Sequence, residues 1–174
     1  MTTALHPPVD EIWRWLSEVP DPEIPVISLT DLGIIRDVGW RDNTLVVTVT
    51  PTYSGCPATT VINLDIERAL VEKGIDRVRL ERRLSPAWTT DWISAEGREK
   101  LRAYGIAPPI DGTAADGILM KRIARLTDGS NLVIACPRCG STATEKISQF
   151  GSTPCKASYR CTDCLEPFDY FKCI

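Results

Sequence analysis

Cys136-Pro137-Arg138-Cys139 is followed, after twenty-one residues, by Cys161-Thr162-Asp163-Cys164. A CxxC turn aims two thiolates at one point, so two such turns complete a tetrahedron and read as the knuckles of a zinc ribbon. The segment from 132 to 174 is far too small to bury a core of its own, and the metal closes it. Phe150, Tyr159, Phe168, Tyr170 and Phe171 are expected to form its miniature core. Rubredoxin-type iron or an iron–sulfur cluster also takes four cysteines, but paired knuckles in a closed four-cysteine set favour structural zinc on Cys136, Cys139, Cys161 and Cys164. Neither CxxC follows a βα unit, which argues against thioredoxin-like chemistry. Cys155 and Cys173 are left without an assigned role.

The rest of the composition bounds the problem. The chain has 174 residues, 43% hydrophobic and 25% charged, with a net charge of −3. That suits one ordinary domain plus a small appendage. The charges are interspersed, so there is no electrostatic case for a nucleic-acid or anionic-membrane partner. No apolar run approaches the ~18–20 residues of a spanning helix, and no signal-peptide pattern is present, so a cytoplasmic location is expected. Six of the seven cysteines follow residue 135, and only Cys56 precedes it. In a reducing compartment such a cluster points to metal rather than disulfides. His6 is the single histidine, which leaves Ser-His-Asp and Cys-His catalysis with that residue as the only candidate base and argues against both.

Working back from the ribbon, the sequence divides into an α+β domain over 1–105, a linker over 106–131 and the ribbon over 132–174. Val9, Ile12, Trp13 and Leu16 form a helical stripe within 7–19, which Pro20 and Pro22 end. Asp21-Pro-Glu-Ile-Pro25 should be extended, because each residue before a proline avoids the helical region. Thr30-Asp31-Leu32-Gly33 reads as a turn. Ile34 to Trp40 and Thr44 to Thr50 are strands joined at Arg41-Asp42-Asn43, and the β-branched second strand should be central. Pro57 to Lys73 is a helix closed by Gly74.

Asp76 to Leu84 is a further strand, whose arginine row is best read as a charged, solvated edge. Trp88 to Ile93 reads as a short fourth strand, Ala95 to Tyr104 as a helix stopped by Gly105, and Leu132 to Ala135 as a strand entering the ribbon. Proline and glycine pairs between 106 and 117 are linker chemistry. The expected fold is a small mixed or antiparallel sheet with helices on one face, followed by a zinc β-ribbon.

Pro51-Thr-Tyr-Ser-Gly-Cys56-Pro57 is the other stretch with chemical content. Cys56 falls where a buried strand turns into a helix. Unpaired N–H groups and the helix dipole favour a thiolate at such a position. Gly55 permits a sharp turn, and Thr52, Tyr53, Ser54 and Thr59 add hydroxyls. A buried cysteine acting as a small hydrophobe is the bland alternative. Asp31 could approach this helix terminus or simply cap its own turn.

Asp21-Pro-Glu-Ile-Pro-Val, Asp31-Leu-Gly-Ile and Thr50-Pro-Thr-Tyr-Ser-Gly-Cys56-Pro resemble the small domain of SufT-like and cytosolic iron–sulfur assembly proteins. Over its full length the chain is similar to the PaaD family of bacterial phenylacetate degradation. The strings that carry this are Trp92-Ile-Ser-Ala-Glu-Gly-Arg98, Gly105-Ile-Ala-Pro-Pro109, Cys136-Pro-Arg-Cys-Gly-Ser141, Phe150-Gly-Ser-Thr-Pro-Cys-Lys-Ala157 and Glu166-Pro-Phe-Asp-Tyr-Phe-Lys-Cys173.

The resemblance implies an accessory protein of the multicomponent phenylacetyl-CoA 1,2-epoxidase, outside its di-iron oxygenase core. Its implied task is insertion of an iron–sulfur cluster or iron into a component such as the 2Fe–2S reductase. Cys56 would be the functional thiol and transient iron or cluster ligand, with Asp31, Thr52 and Ser54 in support. Epoxidase components and iron–sulfur assembly machinery are the implied partners. A homodimer could hold a shared cluster between two copies of Cys56. The alternative is a structural or regulatory epoxidase subunit without metal transfer. The chain itself is not expected to be a catalyst: it lacks the Glu-x-x-His helices of a di-iron site and any glycine-rich dinucleotide fingerprint. A thiol-dependent acyl-CoA transferase would lack a histidine base.

Overall fold

The β-branched run becomes strand β2 (Thr44–Val49), buried from Leu45 to its end. In the computed structural model, which describes residues 6–110 and 133–172, it is the middle strand of a three-stranded sheet. β1 (Ile35–Arg41) pairs with it antiparallel and β3 (Val78–Arg82) parallel. The sheet is therefore mixed, and β2 is covered because both its edges are paired.

Local chemistry sets each connection. The β1–β2 turn is two residues long, because Arg41 still pairs with Thr44. Asp42 and Asn43 take positive φ of 47° and 60°. Two such residues give the primed turn whose twist matches a hairpin, and Asp and Asn tolerate it best after glycine. A parallel partner needs a crossover, and α2 (Thr59–Glu72) supplies it. Ile62, Ile66 and Leu70 face the core from α2, and Gly74 ends the turn at a φ of 87°. α1 (Val9–Leu16) buries Ile12 and Leu16 and packs on α2 and β1, while α2 packs on β3. Both helices thus share one face of the sheet.

The Asp21–Pro25 segment departs from the extended form. Pro20 and Ser28 form an antiparallel bridge, so the chain doubles back between them. The Asp21 carboxylate accepts from the N–H groups of Glu23 at 2.9 Å and Ile24 at 2.8 Å. A side chain that satisfies its own backbone outweighs the local proline bias here.

The described residues cluster into two units, with the break between Trp88 and Thr89. Trp88 closes the first, its indole N–H donating to the Leu32 carbonyl at 2.8 Å. The strand expected over Trp88 to Ile93 is a 3₁₀ turn at Thr90–Trp92, because the Thr89 hydroxyl caps Asp91 N–H at 3.1 Å. α3 (Ala95–Tyr104) has its bounds where the sequence puts them. Ser94 caps Gly97 N–H at 2.9 Å, and Gly105 takes the left-handed exit at φ 96°.

The second unit is where the expected boundaries shift. β4 (Ile106–Ala107), inside the expected linker, pairs parallel with β7 (Pro167–Phe171). The sheet runs β4-β7-β6-β5, with β5 at Thr144–Ser148 and β6 at Lys156–Cys161. α3 and β4 therefore cluster with the ribbon rather than with residues 1–88. Residues 111–132 of the expected linker and entering strand lie outside the described residues, and residues 133–135 are not a strand.

The ribbon core also departs in one residue. Tyr159, Phe168, Tyr170 and Phe171 are buried as expected, but Phe150 is 64% exposed at the β5–β6 hairpin. Ala107, Ile134 and Ala157 complete the core instead. Among the described residues, no helix is long and apolar enough to cross a membrane.

The observed division gives a measurable expectation. In native-state hydrogen exchange under mild urea, the amides of α3 should exchange with those of β5–β7, not with those of β1–β3. Exchange of α3 in step with β1–β3 would restore the boundary at 105.

Candidate functional site

The two CxxC turns fold as matching knuckles with the same hydrogen-bond pattern. Cys136 N–H donates to the Ser141 carbonyl at 2.8 Å, and Cys161 N–H to the Glu166 carbonyl at 2.9 Å. Gly140 and Leu165 take positive φ of 74° and 64° to make the reversals. Ser141 Oγ donates to Asp163 Oδ2 and ties one knuckle to the other.

This geometry brings Cys136 Sγ to 3.8 Å from Cys164 Sγ and Cys139 Sγ to 3.6 Å from Cys161 Sγ. All four sulfurs lie within 4.8 Å of one another. A tetrahedral ion with sulfurs at about 2.3 Å requires sulfur–sulfur edges of about 3.8 Å, which these separations match. Cys136, Cys139, Cys161 and Cys164 are thus a metal-binding site of zinc-ribbon type. Among the described residues, no other group of three or more such ligands comes together. Cys155 is buried elsewhere, beside the Thr153 hydroxyl at 3.0 Å, and Cys173 lies outside the described residues.

The thiols of Cys139, Cys161 and Cys164 perturb one another. The Cys164 N–H, aided by that of Asp163, draws the Cys161 thiol down to about 7 against its burial. The Glu166 N–H lowers Cys164, but its hydrogen bond with Cys139, burial, and its contacts with Cys161 and Cys136 outweigh that and push it up to about 12. At Cys139 the Ser141 backbone and Cys164 act downward, yet burial and the remaining thiols leave it raised. Ligation requires thiolates, so loading the site must expel protons.

Cys56 sits in the first unit, on the loop between β2 and α2. The helix begins at Thr59, so Cys56 precedes it by a short turn and is not in its first turn. Cys56 N–H donates to the Tyr53 carbonyl at 3.2 Å, and the Thr59 hydroxyl donates to the Cys56 carbonyl at 2.8 Å. The thiol is half-buried and free. It takes no hydrogen bond from the hydroxyls of Thr52, which is half-buried, or Ser54, which is exposed. Thr50 N–H donates to the Ile34 carbonyl at 2.8 Å, so the Asp31 turn and the Cys56 loop leave the sheet at the same end. Asp31 N–H is held by Ser28 Oγ at 3.0 Å.

Comparison with known proteins matches both units. A family model for the PaaD zinc beta ribbon domain covers residues 121–172. A model described as iron-sulfur cluster assembly protein covers residues 9–78, which include Cys56. An Escherichia coli (strain K12) protein provisionally named as one of the subunits of 1,2-phenylacetyl-CoA epoxidase is 48% identical over 100% of this chain and 98% of its own length. The chain belongs to the PaaD family.

A Porphyromonas gingivalis protein named Fe-S protein maturation auxiliary factor is 41% identical over 53% of the chain and 89% of its own length. Among solved structures, a domain of unknown function from Bacillus anthracis aligns with a TM-score of 0.49 at 25% identity, over 53% of this chain and 89% of that one. This chain joins a domain matched by the iron-sulfur cluster assembly model to a ribbon matched by the PaaD zinc beta ribbon model.

One contact at the Cys56 loop was not legible in the sequence. Arg82, at the end of β3, donates from Nη2 to the Ser54 carbonyl, two residues before the thiol. The arginine row along β3, Arg77, Arg79 and Arg83, reads as a solvated edge on the face opposite Arg82, and there Glu81 pairs with Arg79 at 2.9 Å and with Arg41 of β1 at 3.3 Å. Arg82 instead faces the loop, because its partner in the ladder is Val49, just before that loop begins. The signal available was its place opposite the end of β2.

Two outcomes follow from this geometry. The affinity of the ribbon for zinc should fall as pH falls, since protons on Cys139 and Cys164 must leave throughout the neutral range. Below about 7 the fall should steepen, as Cys161 then also has a proton to lose. Competition with a chromophoric chelator from about pH 6 to about pH 8.5 measures this, and a flat profile would contradict it. In the first unit, Arg82→Gln should loosen the loop and speed alkylation of Cys56 by iodoacetamide several-fold in peptide-resolved mass spectrometry, with Arg82→Lys in between.

Proposed function

We propose that this protein is an accessory maturation factor of the phenylacetyl-CoA epoxidase system. It assists insertion of an iron–sulfur cluster or iron into an epoxidase component, with the 2Fe–2S reductase as the preferred client. The observation that carries this reading is the free, half-buried Cys56 on a loop of the domain matched by the iron–sulfur cluster assembly model.

In this reading Cys56 Sγ is the transient ligand. One thiolate on a loop makes a weak, exchangeable attachment, which transfer requires. Arg82 and Thr59 hold the loop's backbone at Ser54 and Cys56, so the thiol is presented in one orientation. Asp31, Thr52 and Ser54 share that end of the sheet and act as supporting polar groups. The ribbon cysteines hold a resident zinc that closes the fold of the second unit, and they take no part in transfer. Iron–sulfur assembly machinery is the expected donor, and two chains could share one cluster between their Cys56 thiols.

The test is a strain in which Cys56→Ser replaces the wild-type protein. The epoxidase reductase purified from it should carry markedly less 2Fe–2S cluster by absorption and iron analysis. The variant itself should keep its fold and about one zinc per chain. Reductase with a full cluster from that strain would overturn transfer through Cys56 and favour a structural or regulatory role.

A further inference from the structure

The tip of the β5–β6 hairpin carries features that neither the metal centre nor Cys56 uses. Ile147 is 61% exposed and Phe150 is 64% exposed. Between Lys146 and Ser148 the register with β6 shifts, so Ile147 is the extra residue of a β-bulge. A bulge re-aims a side chain, and this one turns an isoleucine into solvent.

The hairpin is not slack. Gly151 N–H donates to the Lys156 carbonyl at 2.9 Å, and Phe150 N–H to Ser148 Oγ at 3.2 Å. Asp169 stands behind the loop. It pairs with the buried Lys156 ammonium at 3.6 Å and accepts from Ser152 Oγ at 3.3 Å. A side chain on Gly151 would meet Asp169 Oδ1 at 2.8 Å, so the loop lies directly on that carboxylate. A tethered loop cannot fold Phe150 inward, and its apolar surface stays in water. Held apolar groups of this kind bind with little ordering cost.

Charge surrounds the pair. The Lys172 ammonium lies 4.5 Å from the centre of the Phe150 ring and donates to the Gln149 carbonyl at 3.1 Å. The Lys146 ammonium reaches Gln149 Oε1 at 3.3 Å. Among the described residues, neither lysine pairs with a carboxylate, whereas Lys156 and Arg138 in the same unit both do. The bulge also interrupts β5 as an edge, which disfavours pairing by an added strand. What remains is an apolar pair with a cationic rim.

We infer that Ile147, Phe150, Lys146 and Lys172 form a docking surface for a partner protein bearing an apolar anchor flanked by carboxylates. The site rests on the proposed role only for where that partner is sought, among the epoxidase components. It does not depend on Cys56.

The test titrates the full-length protein against each purified epoxidase component by calorimetry. One component should bind, and binding should weaken as salt rises from about 50 to about 300 mM, as a charged rim demands. Phe150→Ser and Ile147→Ser should each weaken it by about tenfold or more, the scale of an interface hot spot. Lys146→Glu with Lys172→Glu should do the same, while Arg102→Glu on α3 should not. Retained zinc content would show that each variant is folded. Binding unchanged by the patch variants, or no binding by any component, would overturn the inference. So would sedimentation showing that the patch variants abolish a dimer of this chain instead. Patch-dependent binding together with a normal cluster in the Cys56→Ser strain would leave this surface standing and remove the transfer role alone.

Discussion

Everything in the first unit depends on how β2 ends. Its last residues are bonded on both sides at once. Thr50 N–H donates to Ile34 on the β1 side at 2.8 Å, and Arg83 N–H donates to Val49 on the β3 side at 2.9 Å. Three segments distant in sequence are thereby fixed at one end of a sheet: the Asp31 turn, the Cys56 loop and Arg82. None of them needs rigidity of its own, since a central strand buried from Leu45 onward supplies it. A loop held by a scaffold of this kind can carry a reactive group without being part of the core.

The second unit solves a different problem. Its apolar core is one cluster around Tyr159, Phe168 and Tyr170, joined by Ile134 and Ala107. Cys136 and Cys161 are members of that cluster as well as metal ligands. The site and the core are therefore not separable: the residues that present two of the four sulfurs also pack in one cluster with Ile134 and Phe168. The β4–β7 pairing extends the same sheet beyond the ribbon proper and brings α3 with it.

Sequence alone conveys what is local or strongly patterned. The β-branched Thr44 to Thr50 run, the Asp42-Asn43 turn, α3 between Ser94 and Gly105, and the four metal-ligating cysteines each carry their own physical signal. Long-range pairing carries none. A two-residue strand such as Ile106–Ala107 exists only because β7 is there to receive it, and its flanking prolines read as linker. The Asp21 turn is hidden because local proline preference points one way and a side-chain acceptor the other. Residue type alone places Phe150 inward, but its position in a tethered hairpin decides otherwise. Cys56 is visible as a candidate, while the Arg82 anchor of its loop depends on a ladder register that no local pattern reveals.

The two kinds of cysteine in this chain suit opposite demands. A closed set of four sulfurs saturates its ion and leaves no position for exchange, which suits a structural role. A 2Fe–2S cluster also needs four terminal ligands, and a chain with Cys56 alone offers one. On the proposed reading the other ligands must come from a second copy, the donor or the client. On that reading Cys56 supplies only one of the four terminal ligands, and release follows as the client's own thiolates displace it and complete the set. A second free thiol beside Cys56 would strengthen the hold and slow that step. Cys56 is the single cysteine before residue 136, so the first unit has no second thiol to offer.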